Sequence, residues 1–147
     1  MGLLADAFGE GSILVKESVD TRSAAIEIAG ELLVQSGKAK HSYVASMLEA
    51  VERFGPYIVI APGIALAHGK PSEDVIETGL SLLVLKQAIE FHHAQNDPVQ
   101  LVFGLAATNH ESHIETMAKL AELLSDQDRV RTLLTSSDSE QIRVLLG

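Results

Sequence analysis

The sequence predicts an α/β or α+β fold in which helices pack against a sheet. Three observations carry that expectation: short apolar runs of strand length, helix-period segments before and after them, and a length of 147 residues suited to a single domain, 1–147, with one core. A chain of this size buries roughly two-thirds of the surface that its unfolded form exposes. Hydrophobic residues make up 46% of the chain and Cys is absent. Disulfides, thiolate metal ligands and a cysteine nucleophile are therefore excluded.

Ile13-Leu14-Val15 is apolar and reads as the first strand. Asp20 follows as a cap for a helix whose Ala25, Ile28, Ala29, Leu32 and Leu33 share one face, and Gly37 is placed to end it. A second helix runs from Ser42 to Phe54 through Val44, Met47, Leu48 and Val51; His41 lies exposed at its start, and Gly55-Pro56 stops it. Tyr57 to Ile60 forms a strand, Pro62-Gly63 a turn, and Ile64 to Leu66 another strand.

Ser72 to Asp74 is polar and turn-like, whereas Thr78 to Leu85 is rich enough in Leu and Val for a buried strand. The loop from Phe91 to Pro98 carries the turn signal Asn96-Asp97-Pro98, and Val99 to Ala107 is the last strand. Helices follow over 112–124, 128–134 and 140–146, the last starting after Asp138-Ser139. In the first of these, Ile114, Met117, Ala118, Ala121 and Leu124 form a stripe expected to face the core, while Glu115 and Lys119 pair on the exposed side.

The formal charge of −9 argues against a nucleic-acid footprint and favours a partner with a basic face. No apolar run approaches the roughly 20 residues that span a bilayer, and the N-terminus lacks a basic region followed by an apolar stretch. A soluble, cytoplasmic protein without direct membrane insertion is expected.

The chemistry concentrates in Pro62-Gly-Ile-Ala-Leu-Ala-His68-Gly-Lys-Pro71. An apolar run stops at an imidazole, and Gly69 and Pro71 break it, so His68 is expected at a strand end, with no side chain beside it to obstruct a partner. Neutral imidazole is a nucleophile near neutral pH. The second cluster is Asn109-His110-Glu111-Ser112-His113-Ile114-Glu115, between a strand and a helix. Ser112 and Glu115 have capping-box spacing, which would put His113 at the first helical position, where free amides and the helix dipole favour phosphate. His68 as phosphoryl acceptor and His113 as donor to a phosphoryl oxygen form a coherent pair, provided the fold joins them.

Blander readings stand beside these. Either His could be a polar side chain satisfied locally or by solvent. Lys70 could offset phosphate charge or be a lone solvated cation. His110 with His113, and His92-His93, could ligate a metal, but no carboxylate cluster with ligand spacing completes a site, so no metal and no cofactor are expected. Ser72 does not sit in a Gly-x-Ser-x-Gly elbow, and Gly63, Gly69 and Gly79 make no dinucleotide fingerprint.

The segment Gly55-Pro-Tyr-Ile-Val-Ile-Ala-Pro-Gly-Ile-Ala-Leu-Ala-His68-Gly-Lys-Pro71, with Leu85-Lys-Gln-Ala-Ile-Glu-Phe91, Asn96-Asp-Pro-Val99 and His113, resembles the enzyme IIA components of the phosphoenolpyruvate-dependent sugar phosphotransferase system, mannitol/fructose superfamily, ascorbate-specific branch. The resemblance covers nearly the whole chain. It implies a mixed β-sheet flanked by helices on both faces and a phosphohistidine relay. His68 would take a phosphoryl group on Nε2 from the carrier HPr and pass it to enzyme IIB, which serves the membrane enzyme IIC; His113 would steady the group. Family members usually have Pro directly before the acceptor, where this chain has Ala67, which gains an amide donor. The Arg that mannitol-type members carry soon after the helix Met has no match in Leu48-Glu49-Ala50, and its role is not assigned to Arg53; His110 has no family counterpart. The rim of His68 is expected to be apolar and shallow, with Ile64, Leu66 and Ala67 near it. Besides ascorbate, the resemblance leaves open a IIA for fructose, mannitol or galactitol, and a regulatory module whose signal is His68 phosphorylation.

Overall fold

The computed structural model describes residues 3–146. In chain order the elements are α1 (Leu3–Ala7), β1 (Phe8–Glu17), α2 (Arg22–Gln35), α3 (Ser42–Phe54), β2 (Val59–Ala61), β3 (Ile64–His68), β4 (Gly79–Ile89), β5 (Val99–Ala106), α4 (His110–Leu124), α5 (Gln127–Thr135) and α6 (Ser139–Leu146). The five strands form one mixed sheet in the order β1-β4-β5-β3-β2. β1 runs parallel to β4 and β3 parallel to β5, while β4–β5 and β2–β3 are antiparallel.

Period-two alternation in the central strands divides the core into two layers. Leu83 and Leu85 of β4 and Val102 and Ala106 of β5 face one side, where Ala25, Ile26, Ala29 and Leu33 of α2 and Tyr43, Met47 and Val51 of α3 cover them. Leu80, Leu82 and Val84 of β4 and Leu101, Phe103 and Leu105 of β5 face the other side, against Leu120 and Leu123 of α4, Leu133 of α5 and Ile142 and Leu146 of α6. Helices on both faces of a mixed sheet are the architecture the sequence implies. Among the described residues, no helix is long and apolar enough to cross a membrane.

Several local expectations shift. Thr21, not Asp20, caps α2: its Oγ1 accepts from the amide of Ala24 at 3.1 Å in extended geometry, one residue later than the carboxylate. β4 continues four residues past Leu85, because its end carries the exposed Lys86, Gln87 and Ala88, which break the apolar pattern that marks a buried strand. The buried face of α4 is Leu120 and Leu123, with Met117 and Leu124 partly covered; Ile114, Ala118 and Ala121 are exposed, so the expected stripe is out of phase with the core. Glu115 and Lys119 are both exposed but do not come within ion-pair distance of each other.

One close approach fixes the helix layer over the sheet. The buried Ser81 hydroxyl of β4 donates to the Ala29 carbonyl of α2 at 2.7 Å, reaching across β5 where Gly104 leaves room. A Cβ at Gly104 would lie 2.4 Å from Ser81 Oγ and 3.1 Å from the Ala29 oxygen. Gly104→Ala is therefore expected to cost about 1–3 kcal/mol by overpacking and loss of that bond, measured as a lowered urea midpoint with the slope unchanged.

Candidate functional site

Strand polarity assembles the site. β3 and β5 run parallel with His68 opposite Leu105, so both strands end at the same edge of the sheet. β3 ends in His68 itself, and the chain leaving β5 enters α4 within four residues. His68 and His113, which stand 45 positions apart in the sequence, thereby meet with ring centroids 5.1 Å apart and planes at 60°. Tyr57 also packs against His68, centroids 5.4 Å apart at 79°, and is backed by Phe54 at 6.1 Å and 87°.

The cap of α4 differs from the expected one. Asn109 is the N-cap: its Oδ1 accepts from the Ser112 amide at 2.8 Å, and Ser112 Oγ accepts from the Asn109 amide at 3.4 Å. Ser112 is thus the returning partner, not the cap, because Asn109 already has the extended backbone a cap needs. His113 falls three positions past the first helical residue, and its amide is spent on the Asn109 carbonyl at 3.1 Å. Its side chain, rather than a free amide, is what it offers the site. Thr78 Oγ1 ties this cap to the start of β4, accepting from the Thr108 amide at 3.1 Å and donating to Ser112 Oγ at 3.0 Å.

The two histidines border a cavity of about 500 Å³. One wall is a single face of α3, Ser46, Glu49, Ala50 and Arg53, at the helical spacing i, i+3, i+4, i+7. The segment from His68 to Ser72 also lines it, with Asp74, and His110 joins from α4. In a chain of net charge −9, Arg53 and Lys70 bring two full cations to a depression that also holds the carboxylates of Glu49 and Asp74. Asp74 is engaged by the Ser42 hydroxyl at 2.7 Å.

His68 Nδ1 lies 2.9 Å from the Leu66 carbonyl oxygen. A carbonyl only accepts, so Nδ1 carries the proton and Nε2 keeps its lone pair. Burial holds the imidazole below the ordinary histidine pKa, outweighing the Leu66 carbonyl, which pulls it up. Burial likewise lowers His113, helped by the neighbouring His68 and His110. Both shifts favour the neutral ring.

Tyr43 holds the strand end in place. Its hydroxyl accepts from the Gly69 amide at 2.9 Å and donates to the Leu105 carbonyl at 2.9 Å, tying α3 to the ends of β3 and β5. Burial pushes this phenol up to about 12, against the pull of the Gly69 bond. Gly69 is buried, and a Cβ there would lie 3.1 Å from Ser46 Cβ and 3.3 Å from Tyr43 Cε1. Its missing side chain lets α3 approach, rather than leaving space for a partner as expected. The rim is also other than predicted: Ile64, Leu66 and Ala67 are buried core, and the surface beside His68 is Tyr57, Phe54 and the α3 face. Ala67 continues β3 as a regular ladder residue opposite Gly104.

His110, Arg53 and Lys70 all line the cavity. His92 and His93 do not: they lie in the β4–β5 loop at the opposite edge of the sheet, where Asp97 accepts from the amides of Phe91 at 3.0 Å and His93 at 3.1 Å. His93 Nδ1 is itself occupied as acceptor for the Gln95 and Asn96 amides at 3.2 and 3.0 Å. His41 is exposed and pairs with Glu31 at 2.7 Å. Among the described residues, no group of three or more His, Asp or Glu is arranged to hold a metal ion. Tyr43, Phe54 and Tyr57 are site residues that the reading of the sequence missed. For Phe54 and Tyr57 a signal existed: aromatic residues on either side of the helix stop Gly55-Pro56.

Residues 7–147 match the family model described as phosphoenolpyruvate-dependent sugar phosphotransferase system, EIIA 2. The chain is 38% identical over 140 residues to the ascorbate-specific PTS system EIIA component of Escherichia coli, covering 92% of this chain and 91% of that relative. It superposes on the solution structure of the mannitol-specific cryptic phosphotransferase enzyme IIA of Escherichia coli with a TM-score of 0.86 and 31% identity, covering 97% of each chain. It also superposes on enzyme IIA of the mannitol system, in complex with phosphorylated enzyme IIB from Escherichia coli, with a TM-score of 0.83 and 28% identity over 94% of this chain and 95% of that one.

The lowered His68 and His113 pKa values have a consequence for stability. Between its folded-state pKa and the unfolded value near 6.5, each imidazole binds more protons unfolded than folded, so stability rises with pH. The contribution is complete above 6.5 and is lost as pH falls through the lower folded-state values. The melting temperature is expected to drop on acidification below 6.5, and His68→Gln with His113→Gln should flatten that drop in a series of thermal melts.

Proposed function

The chain belongs to the phosphoenolpyruvate-dependent sugar phosphotransferase system EIIA 2 family, and from that premise we propose that His68 is the residue on which this phosphocarrier holds its phosphoryl group. The observation that carries the proposal is the tautomer lock: Nδ1–H is bound to the Leu66 carbonyl at 2.9 Å, so Nε2 is the free nucleophile at the cavity. The upstream donor is phospho-HPr and the downstream acceptor enzyme IIB, which feeds the membrane enzyme IIC; the complex formed by the mannitol-system relative with phosphorylated enzyme IIB supports the second step. The 38% identity to ascorbate-specific components supports ascorbate as the transported substrate.

In the transfer, the Nε2 lone pair forms the new P–N bond while the donor imidazole keeps the electron pair of the bond that breaks. Nδ1 retains its proton, so the phosphorylated ring is cationic and the Leu66 carbonyl faces that charge. His113, 5.1 Å away between ring centroids, donates a ring N–H to a phosphoryl oxygen. Arg53 and Lys70 line the cavity and offset the charge of the phosphoryl group. Exchange between two histidines is nearly isoenergetic, so the site has to supply positioning and charge stabilisation rather than driving force.

Incubation with phosphoenolpyruvate, enzyme I and HPr is expected to add one phosphoryl group, seen in the intact mass, and His68→Ala should abolish the gain. An unchanged mass for the parent chain would sink the carrier reading, and a modification surviving in the variant would place the acceptor elsewhere. His113→Ala should leave the acceptor intact yet slow transfer by about tenfold to a hundredfold, the range for loss of one stabilising donor or less; rates equal to the parent would remove His113 from the site. Delivery to an ascorbate-type enzyme IIB but not to a mannitol-type one would establish the branch.

A further inference from the structure

The chain has two Tyr, four Phe and no Trp, and their placement is uneven. Phe8, Tyr43, Phe91 and Phe103 are buried, whereas Phe54 is 60% and Tyr57 44% exposed. Both exposed aromatics lie at the one cavity that holds His68. Their rings are not loose: Arg53 stands 5.6 Å from the Phe54 centroid, Phe54 packs edge-on against Tyr57, and Tyr57 packs edge-on against His68. A row of side chains therefore ends on the imidazole, which His113 meets as well.

We propose that Tyr57, backed by Phe54, is a positioning and shielding residue that closes one side of the His68 imidazole and protects its phosphoryl group from water. The proposal rests on His68 being the acceptor. A phosphohistidine carrier has to survive between two encounters, so its own hydrolysis is the competing reaction. There, water attacks phosphorus and supplies its oxygen and both hydrogens to the departing phosphate; the electron pair of the P–N bond returns to Nε2, and the ring is restored with its proton on Nδ1. His113 and Tyr57 both pack against the ring, which narrows the approach of water through the cavity, and a docking partner excludes the remaining solvent. The ring also keeps His68 partly desolvated, in keeping with the burial that lowers its pKa.

The placement of Gly55-Pro56 gives this wall its rigidity. Gly55 caps α3 with φ of +81°, its amide donating to the Val51 carbonyl at 2.8 Å. Pro56 then fixes the turn that carries Tyr57 back over the strand end, its carbonyl accepting from the Val59 amide at 3.0 Å. The aromatic pair thus straddles a stiff corner, which suits a fixed wall.

The test compares the parent with Tyr57→Phe and Tyr57→Ala, using Val144→Ala, a truncation of an 80% exposed residue on α6, as a control. After phosphorylation and removal of HPr, the decay of the phosphorylated mass gives the lifetime. Tyr57→Ala is expected to shorten it by about tenfold, with Tyr57→Phe and Val144→Ala within about twofold of the parent. In the unphosphorylated proteins, NMR titration of the His68 ring should show its midpoint rising toward 6.5 in Tyr57→Ala alone. The substitution leaves Glu49, Arg53, Lys70, Asp74, His110 and His113 in place, so such a rise reports the lost ring. A Tyr57→Ala variant matching the parent in both lifetime and titration would overturn the role of Tyr57, as would a Tyr57→Phe variant that behaves like Tyr57→Ala, which would assign the effect to the hydroxyl. A parent that takes up no phosphate would overturn the carrier reading itself, a result distinct from either.

Discussion

The parallel pairing of β3 with β5 is the constraint on which the site depends. Parallel neighbours must both end at the same edge, so the register that sets His68 opposite Leu105 also delivers the start of α4, and with it His113, to the same place. A strand slipped by one residue would turn the imidazole to the opposite face of the sheet. Tyr43 guards against that slip from outside the ladder, since its hydroxyl bonds both strand ends at once. The chemistry is therefore set by backbone register, and the helices serve to hold that register under two packed layers.

Much of this was legible in the sequence, for reasons that differ by element. The ends of α3 are legible because His41, the apolar spacing through Val51, and Gly55-Pro56 all point the same way. β4 and β5 read clearly because strands buried on both faces become continuous apolar runs. Phase was harder. In α4 the small residues Ala118 and Ala121 are compatible with either face, so the stripe could be drawn one step away from the true core face of Leu120 and Leu123. The cap is ambiguous for a related reason, since Asn109, Ser112 and Glu115 stand at equal spacing and only the backbone tells which pair is bonded.

The site shows the same division. His68 and His113 stood out because imidazoles beside strand and helix breaks are chemically conspicuous. Their neighbours did not. Tyr43 sits 25 residues before His68 in the sequence, and nothing local announces that its hydroxyl will cross to Gly69 and Leu105. Gly69 is conspicuous in the sequence, but its lack of a side chain serves the contact with α3 and not a partner. Arg53 and Lys70 reach one cavity only because α3 lies against the end of β3, a proximity that belongs to packing rather than to spacing. In an acidic chain, the cavity gathers Arg53 and Lys70 beside the carboxylates of Glu49 and Asp74, two cations within reach of one depression.

The bond from His68 Nδ1 to Leu66 runs between residues two apart on the same strand. Because donor and acceptor share one backbone segment, no docking protein has to supply or remove that proton. With His68 as the proposed acceptor, the carrier presents the same nitrogen, in the same protonation state, to whichever partner arrives. Net flow through it is then governed by how heavily each partner is phosphorylated, and the protein acts as a reversible exchange point without a built-in direction.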